Sequence, residues 1–104
     1  MNIWKDWLGK RNGRTLESVA KDINDSLGRY GISALVSQGV IGITKLFNEN
    51  PPRKDTIILE YFPNKQDPSM SYYDLHDSIG RRYKESQYQQ MMQDIKDHFN
   101  QIYL

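Results

Sequence analysis

The chain has 104 residues, a formal net charge of +1, 38% hydrophobic and 26% charged residues, and no cysteine. That is enough chain for one domain with a single modest core. It excludes disulfides, thiolate metal sites and cysteine nucleophiles, and no apolar run approaches the ~20 residues of a membrane-spanning helix.

Charge is spread unevenly. Residues 1–54 carry nine Lys/Arg against five Asp/Glu, and residues 55–104 carry five against eight. Such a mild dipole can orient an encounter but names no partner. The first residues lack the apolar core of a secretory leader, so the cytoplasm is the expected compartment. Frequent Asn, Lys, Ile and Tyr fit an A/T-rich coding bias, and a small accessory protein of a bacterium or its mobile elements is the expected setting.

Asn2 can cap a short helix over residues 3–8, in which Ile3/Trp7 and Trp4/Leu8 are i,i+4 pairs. A basic loop, GKRNGR, follows. Trp4 and Trp7 can close one end of the core, the favoured reading. Alternatively they can enter a lipid surface while Lys5, Lys10, Arg11 and Arg14 meet anionic head groups. A short apolar helix, a basic loop and a T-x-x-x-x-A-K helix (Thr15, Ala20, Lys21) together resemble the membrane-targeting start of the cell-division factor MinE. The resemblance covers about the first fifth of the chain and implies membrane binding by that segment; no match follows it.

Residues 15–30 read as a helix. Thr15 is the N-cap, Glu17 sits in the first turn, and Leu16, Val19, Ala20, Ile23 and Leu27 form one stripe. Gly28 and Gly31 both offer a stop. Strands are expected over 32–37 and 40–47, joined by the two-residue turn Gln38-Gly39. Gly42 inside the second strand predicts a bulge or a close backbone approach. Pro51-Pro52 marks a loop over 48–55. A third strand is expected over 56–62, with Ile57, Leu59 and Tyr61 on its inner face and Thr56, Ile58, Glu60 and Phe62 on the other.

Ser71 and Asp74 suggest a capping box opening a helix with the stripe Tyr72, Leu75, Ile79, Tyr83. A second stripe, Tyr88, Met91, Met92, Ile95, Phe99, Ile102, points to nearly the opposite side of one continuous helix. Either the helix breaks near residues 84–86, the preferred reading, or one long helix offers its second half to a partner. The expected fold is therefore α+β: a small three-stranded, mostly antiparallel sheet packed by an N-terminal helix and one or two C-terminal helices, in one domain spanning 1–104.

No chemistry stands out. His98 and Asp94 are i,i+4, but no second histidine or H-E-x-x-H pattern accompanies them, and His76 is alone on its segment. No metal or cofactor is expected. The carboxylates Glu60, Asp67, Asp74 and Asp77 define no cleft pair, and no G-x-S-x-G nucleophile context occurs. An enzyme is not expected. The favoured function is a non-catalytic protein-interaction or assembly module, with homodimerisation or a protein partner engaging Tyr83, Tyr88, Met91, Met92 and Phe99, because tyrosine and methionine suit contact surfaces. The next contact surface would be the far face of the third strand, at Ile58 and Phe62. Two alternatives remain. Nucleic acid could be bound by Lys10, Arg11, Arg14, Arg81, Arg82 and Lys84, if these converge on one face. A membrane surface, the least favoured partner, would engage Trp4 and Trp7.

Overall fold

The computed structural model describes residues 13–101. The expected helix over 3–8, Trp4, Trp7, Lys10, Arg11 and Ile102 lie outside the described residues. Helix α1 spans Leu16–Leu27 and continues as a 3-10 turn over Gly28–Tyr30. Its start is built as the sequence predicts. The Thr15 hydroxyl accepts the Ser18 amide N–H, and the Ser18 hydroxyl accepts the Thr15 N–H in return. This satisfies two amide groups that a helix start leaves without partners. Gly31, at φ 79°, turns the chain into the sheet; Gly28 is ordinary helical backbone.

Five antiparallel strands follow: β1 Ile32–Ser37, β2 Val40–Phe47, β3 Arg53–Phe62, β4 Tyr72–His76 and β5 Arg81–Lys84. Their spatial order is their chain order, as short connections require. The β1–β2 turn is the expected two-residue one, with Gln38 and Gly39 at φ 53° and 80°, and this double left-handed geometry matches the twist of the strands. Gly42 makes no bulge: Leu35, Gly42 and Ile58 stand in unbroken register across β1, β2 and β3. A Cβ at Gly42 would meet only the Leu35 carbonyl oxygen, at 3.9 Å. The Asn50-Pro51 peptide is cis, in the loop before β3.

The three-stranded sheet is corrected to five, and the helix expected over 71–83 is a hairpin. The 3.6-residue spacing of Tyr72, Leu75, Ile79 and Tyr83 is coincidental. Leu75 and Tyr83 are buried, but Ile79 is 75% exposed at the hairpin tip. The operative period is two. Tyr73, Leu75 and Tyr83 face inward, whereas Tyr72, Asp74, His76 and Arg82 face the other way. The turn is held by Asp77, whose carboxylate accepts the amide N–H groups of Ile79 and Gly80. Gly80 supplies the positive φ of 78°.

A 3-10 turn over Glu85–Gln87 leads into α2, Tyr88–Gln101. A separate C-terminal helix does begin after residues 84–86, but what precedes it is a strand, so no helix breaks there. Val19, Ala20, Ile23 and Leu27 of α1 and Tyr88, Met91, Met92, Ile95 and Phe99 of α2 join the inner residues of the sheet in one hydrophobic cluster. Ile41, Ile43, Ile57, Leu59, Tyr73 and Leu75 form the floor of that cluster. Both helices thus cover one face of the sheet, and the other face has no covering layer among the described residues. None of the described helices is long and apolar enough to cross a membrane.

Candidate functional site

The aromatic and methionine residues expected to meet a partner are core. Tyr83, Tyr88, Met91, Met92 and Phe99 are all buried against the sheet. The reason is the hairpin. With residues 72–83 folded as strands, the two stripes never share a helix, and the phase shift that would have left one of them outward has no counterpart. Sulfur and ring contacts in this region pack the interior.

The tyrosine hydroxyls close two polar networks at the core's edge. Arg14 donates from Nε to Glu85 at 2.9 Å and from Nη1 to Asp22 at 3.2 Å, with its guanidinium 3.6 Å from the centre of the Tyr88 ring. Tyr73 donates to the other Glu85 oxygen at 2.6 Å, and Tyr88 donates to Asp22 at 2.7 Å. In the second network Tyr83 donates to Asp94 at 2.6 Å, and Arg81 bridges Asp77 and Asp94. Burial, reinforced by these carboxylate acceptors, raises the Tyr73, Tyr83 and Tyr88 hydroxyls well above the usual phenol range. They are held as donors and are unsuited to act as bases. Each hydroxyl has its partner, as a buried polar atom requires, whereas Arg81 Nε in the second network is buried with no hydrogen-bond partner among the described residues.

Among the described residues, the basic groups do not converge on one face. Arg81 and Arg82 are sequence neighbours on a strand and point to opposite faces. Arg81 reaches Asp77 and Asp94 on the helical side, while Arg82 pairs with Asp74 at 2.6 Å on the open side. Arg14 lies in the first network, and Lys84 is exposed on the open face. The sequence also offered Asp94 and His98 as neighbours. Instead His98 faces Asp55 of β3 at 3.1 Å. The described residues contain no group of three or more histidines and carboxylates able to hold a metal ion.

What the fold does create is an open sheet face. Its outward residues include Leu35 (72% exposed), Leu46 (65%) and Ile58 (37%), with Gly42 leaving a shallow gap between Leu35 and Ile58. Beside them, Phe62 and Tyr72 stack at 4.7 Å between ring centres, and the Arg82 guanidinium lies 4.5 Å from the Tyr72 ring centre on the β5 side. Arg82 pairs with Asp74 within the face and His76 Nε2 lies 2.6 Å from Glu60, while Lys54 and Lys84 also stand on it. The hydrogen bond from Arg82 holds the Asp74 carboxyl below the usual carboxylate range. The alternation of β3 already placed Ile58 and Phe62 on this face. The sequence names Arg82 only as a nucleic-acid candidate and Tyr72 only in a helical stripe, and it does not place Leu35: a helical reading of residues 72–83 hides the β4–β5 hairpin, and β1 alone gives no sign of which side is covered. Comparison with protein-family models, with curated proteins and with solved structures returns no match.

Proposed function

We propose that the protein is a non-catalytic assembly module that pairs with a second copy of itself through the open face of its sheet. The observation that supports this is the one-sided architecture: both helices pack on one face, and large apolar residues stand on the other. Exposed apolar groups gathered on one face, rather than scattered singly, are a mark of contact surfaces. Apolar contact at Leu35, Leu46 and Ile58 is the term that drives the association. That suits a self-complementary, two-fold packing of sheet on sheet at a spacing of ~10 Å.

A single-stranded nucleic acid is the natural competitor on an open antiparallel sheet carrying aromatics. It is disfavoured because the Tyr72 ring is covered by Phe62 from β3 and Arg82 from β5, and because Glu60 and Asp74 lie on the same face.

The test is light scattering over a wide concentration range, on the natural chain and on Leu35→Arg with Ile58→Arg. The reading expects a dimer for the natural chain and a folded monomer for the double variant. A natural chain that stays strictly monomeric at high concentration overturns it.

A further inference from the structure

We infer that the cavity beside the start of α1 binds a small zwitterion with an apolar body, a molecule of the aromatic amino-acid type, its ammonium toward Glu17 and its carboxylate toward Lys65. The cavity measures ≈ 460 Å³, within the range of about 300–1,000 Å³ usual for small-molecule sites. Its apolar walls are Leu16 from the first turn of α1 and Tyr61 and Pro63 at the end of β3. These walls are preformed. The reciprocal bonds of Thr15 and Ser18 fix the turn that carries Leu16. The Tyr61 hydroxyl donates to the Arg14 carbonyl at 3.1 Å, and its ring stacks on Tyr73 at 4.8 Å between ring centres. The Pro63 ring is closed and its backbone angle fixed. Such walls receive a ligand without first having to be ordered.

The charge of the ligand follows from two side chains that the fold leaves uncommitted. Glu17 and Lys65 line the same cavity with opposite signs, and neither has an ion-pair or hydrogen-bond partner among the described residues. Each has a nearby candidate that is engaged elsewhere. Lys21 stands four residues after Glu17, the favourable order for a helical Glu–Lys pair, but its Nζ donates to Asp25 at 2.6 Å. Asp67 lies two residues after Lys65, but its carboxylate accepts the Ser69 amide and hydroxyl. The third charged wall group, Arg14, is held by Glu85 and Asp22 and lies over the Tyr88 ring. An acid and a base thus line an apolar hollow without neutralising one another. A simple anion or cation answers one of them. A zwitterion answers both, while its apolar body covers Leu16, Tyr61 and Pro63. The inference is independent of the open sheet face, because Leu16 and Tyr61 stand on the helical side of the strands.

Two-dimensional amide NMR of the full chain, titrated with L-phenylalanine, tests this. Phenylalanine should move the Leu16, Glu17 and Lys65 signals saturably, with half-saturation at roughly millimolar concentration or below. Glycine, the same zwitterion without the body, should leave them in place. Phenethylamine and hydrocinnamate each keep one charge and should bind about two- to fivefold more weakly than phenylalanine. Glu17→Gln should weaken phenylalanine and phenethylamine by about the same factor and leave hydrocinnamate unchanged. Lys65→Met should weaken phenylalanine and hydrocinnamate and leave phenethylamine unchanged. Both side chains are exposed, so both variants should keep native far-UV circular dichroism. Three results overturn the proposal. One is no saturable movement at about 20 mM phenylalanine. Another is equal movement with glycine. The third is that neither variant discriminates among the three aromatic probes, which would leave a hollow that recognises apolar area alone.

Discussion

Asn24 of α1 acts as the missing strand for Ala34 of β1. Its side-chain oxygen accepts the Ala34 N–H at 2.9 Å, and its side-chain amide donates to the Ala34 carbonyl at 3.0 Å. β1 is an edge strand, and an edge left open is a template for another chain. A helix residue with one donor and one acceptor therefore occupies the middle of that edge. Asn24→Ala should cost about 1 kcal/mol, since both bonds are solvent-accessible, and should promote concentration-dependent association through β1. Urea unfolding gives the first quantity and sedimentation velocity the second. Asn24→Asp keeps the acceptor but sets a charge against the Ala34 carbonyl, so it should be at least as destabilising.

Gln38 adopts φ 53°, a left-handed conformation that favours glycine and asparagine. Gln38→Asn should therefore stabilise the protein by roughly 0.5 kcal/mol. Gly39→Ala, at φ 80°, should destabilise it even though open space surrounds the position. Thermal melts of the two variants, moving in opposite directions, check the turn geometry directly.

Asp77 has a side chain only 1% exposed and serves both the Ile79–Gly80 turn and Arg81. Asp77→Ala should cost about 2–4 kcal/mol, because it strips the turn and leaves Arg81 with Asp94 alone. Burial pushes this carboxyl up, but the bonds from Arg81, Gly80 and Ile79 more than offset that and hold it below the usual range. Asp74 is also lowered, by Arg82. A depressed native pKa gives stability that is complete above the unfolded value near ~4 and lost as pH falls through the lower native value. The urea midpoint should therefore decline below about pH 4, and Asp77→Asn should flatten that decline.

Met92→Arg and Tyr88→Arg should unfold the protein rather than merely dissociate it, since both side chains are buried in the core. Met91→Ala, at a site with no exposure, should cost about 2–4 kcal/mol. Native circular dichroism with a smaller particle in light scattering for either Arg variant would contradict this placement.

The local rules carried the first half of the fold. Thr15 as N-cap set the helix start, the Gln38-Gly39 turn set the register of β1 and β2, and the alternation in 56–62 correctly separated Ile57, Leu59 and Tyr61 from Ile58 and Phe62. The second half was read with the wrong period. Residues 72–83 satisfy a helical stripe at four positions, but Tyr72–Tyr73 and the Asp77–Gly80 turn favour a hairpin, and pairing with β3 settles the choice: Leu59 lies opposite Leu75 and Tyr61 opposite Tyr73.

That pairing also decided the site. A sequence states which residues of a strand share a face, because side chains alternate; it does not state which face the helices will cover. Only when β4 and β5 extend the sheet do the C-terminal tyrosines and methionines turn inward, with their hydroxyls placed against Glu85, Asp22 and Asp94. Arg81 and Arg82 part to opposite sides for the same reason. The sequence by itself determined one helix start, one turn and the two faces of β3. The tertiary structure decided which of those faces remains open, because burial is set by long-range strand pairing and helix placement, which local spacing does not encode.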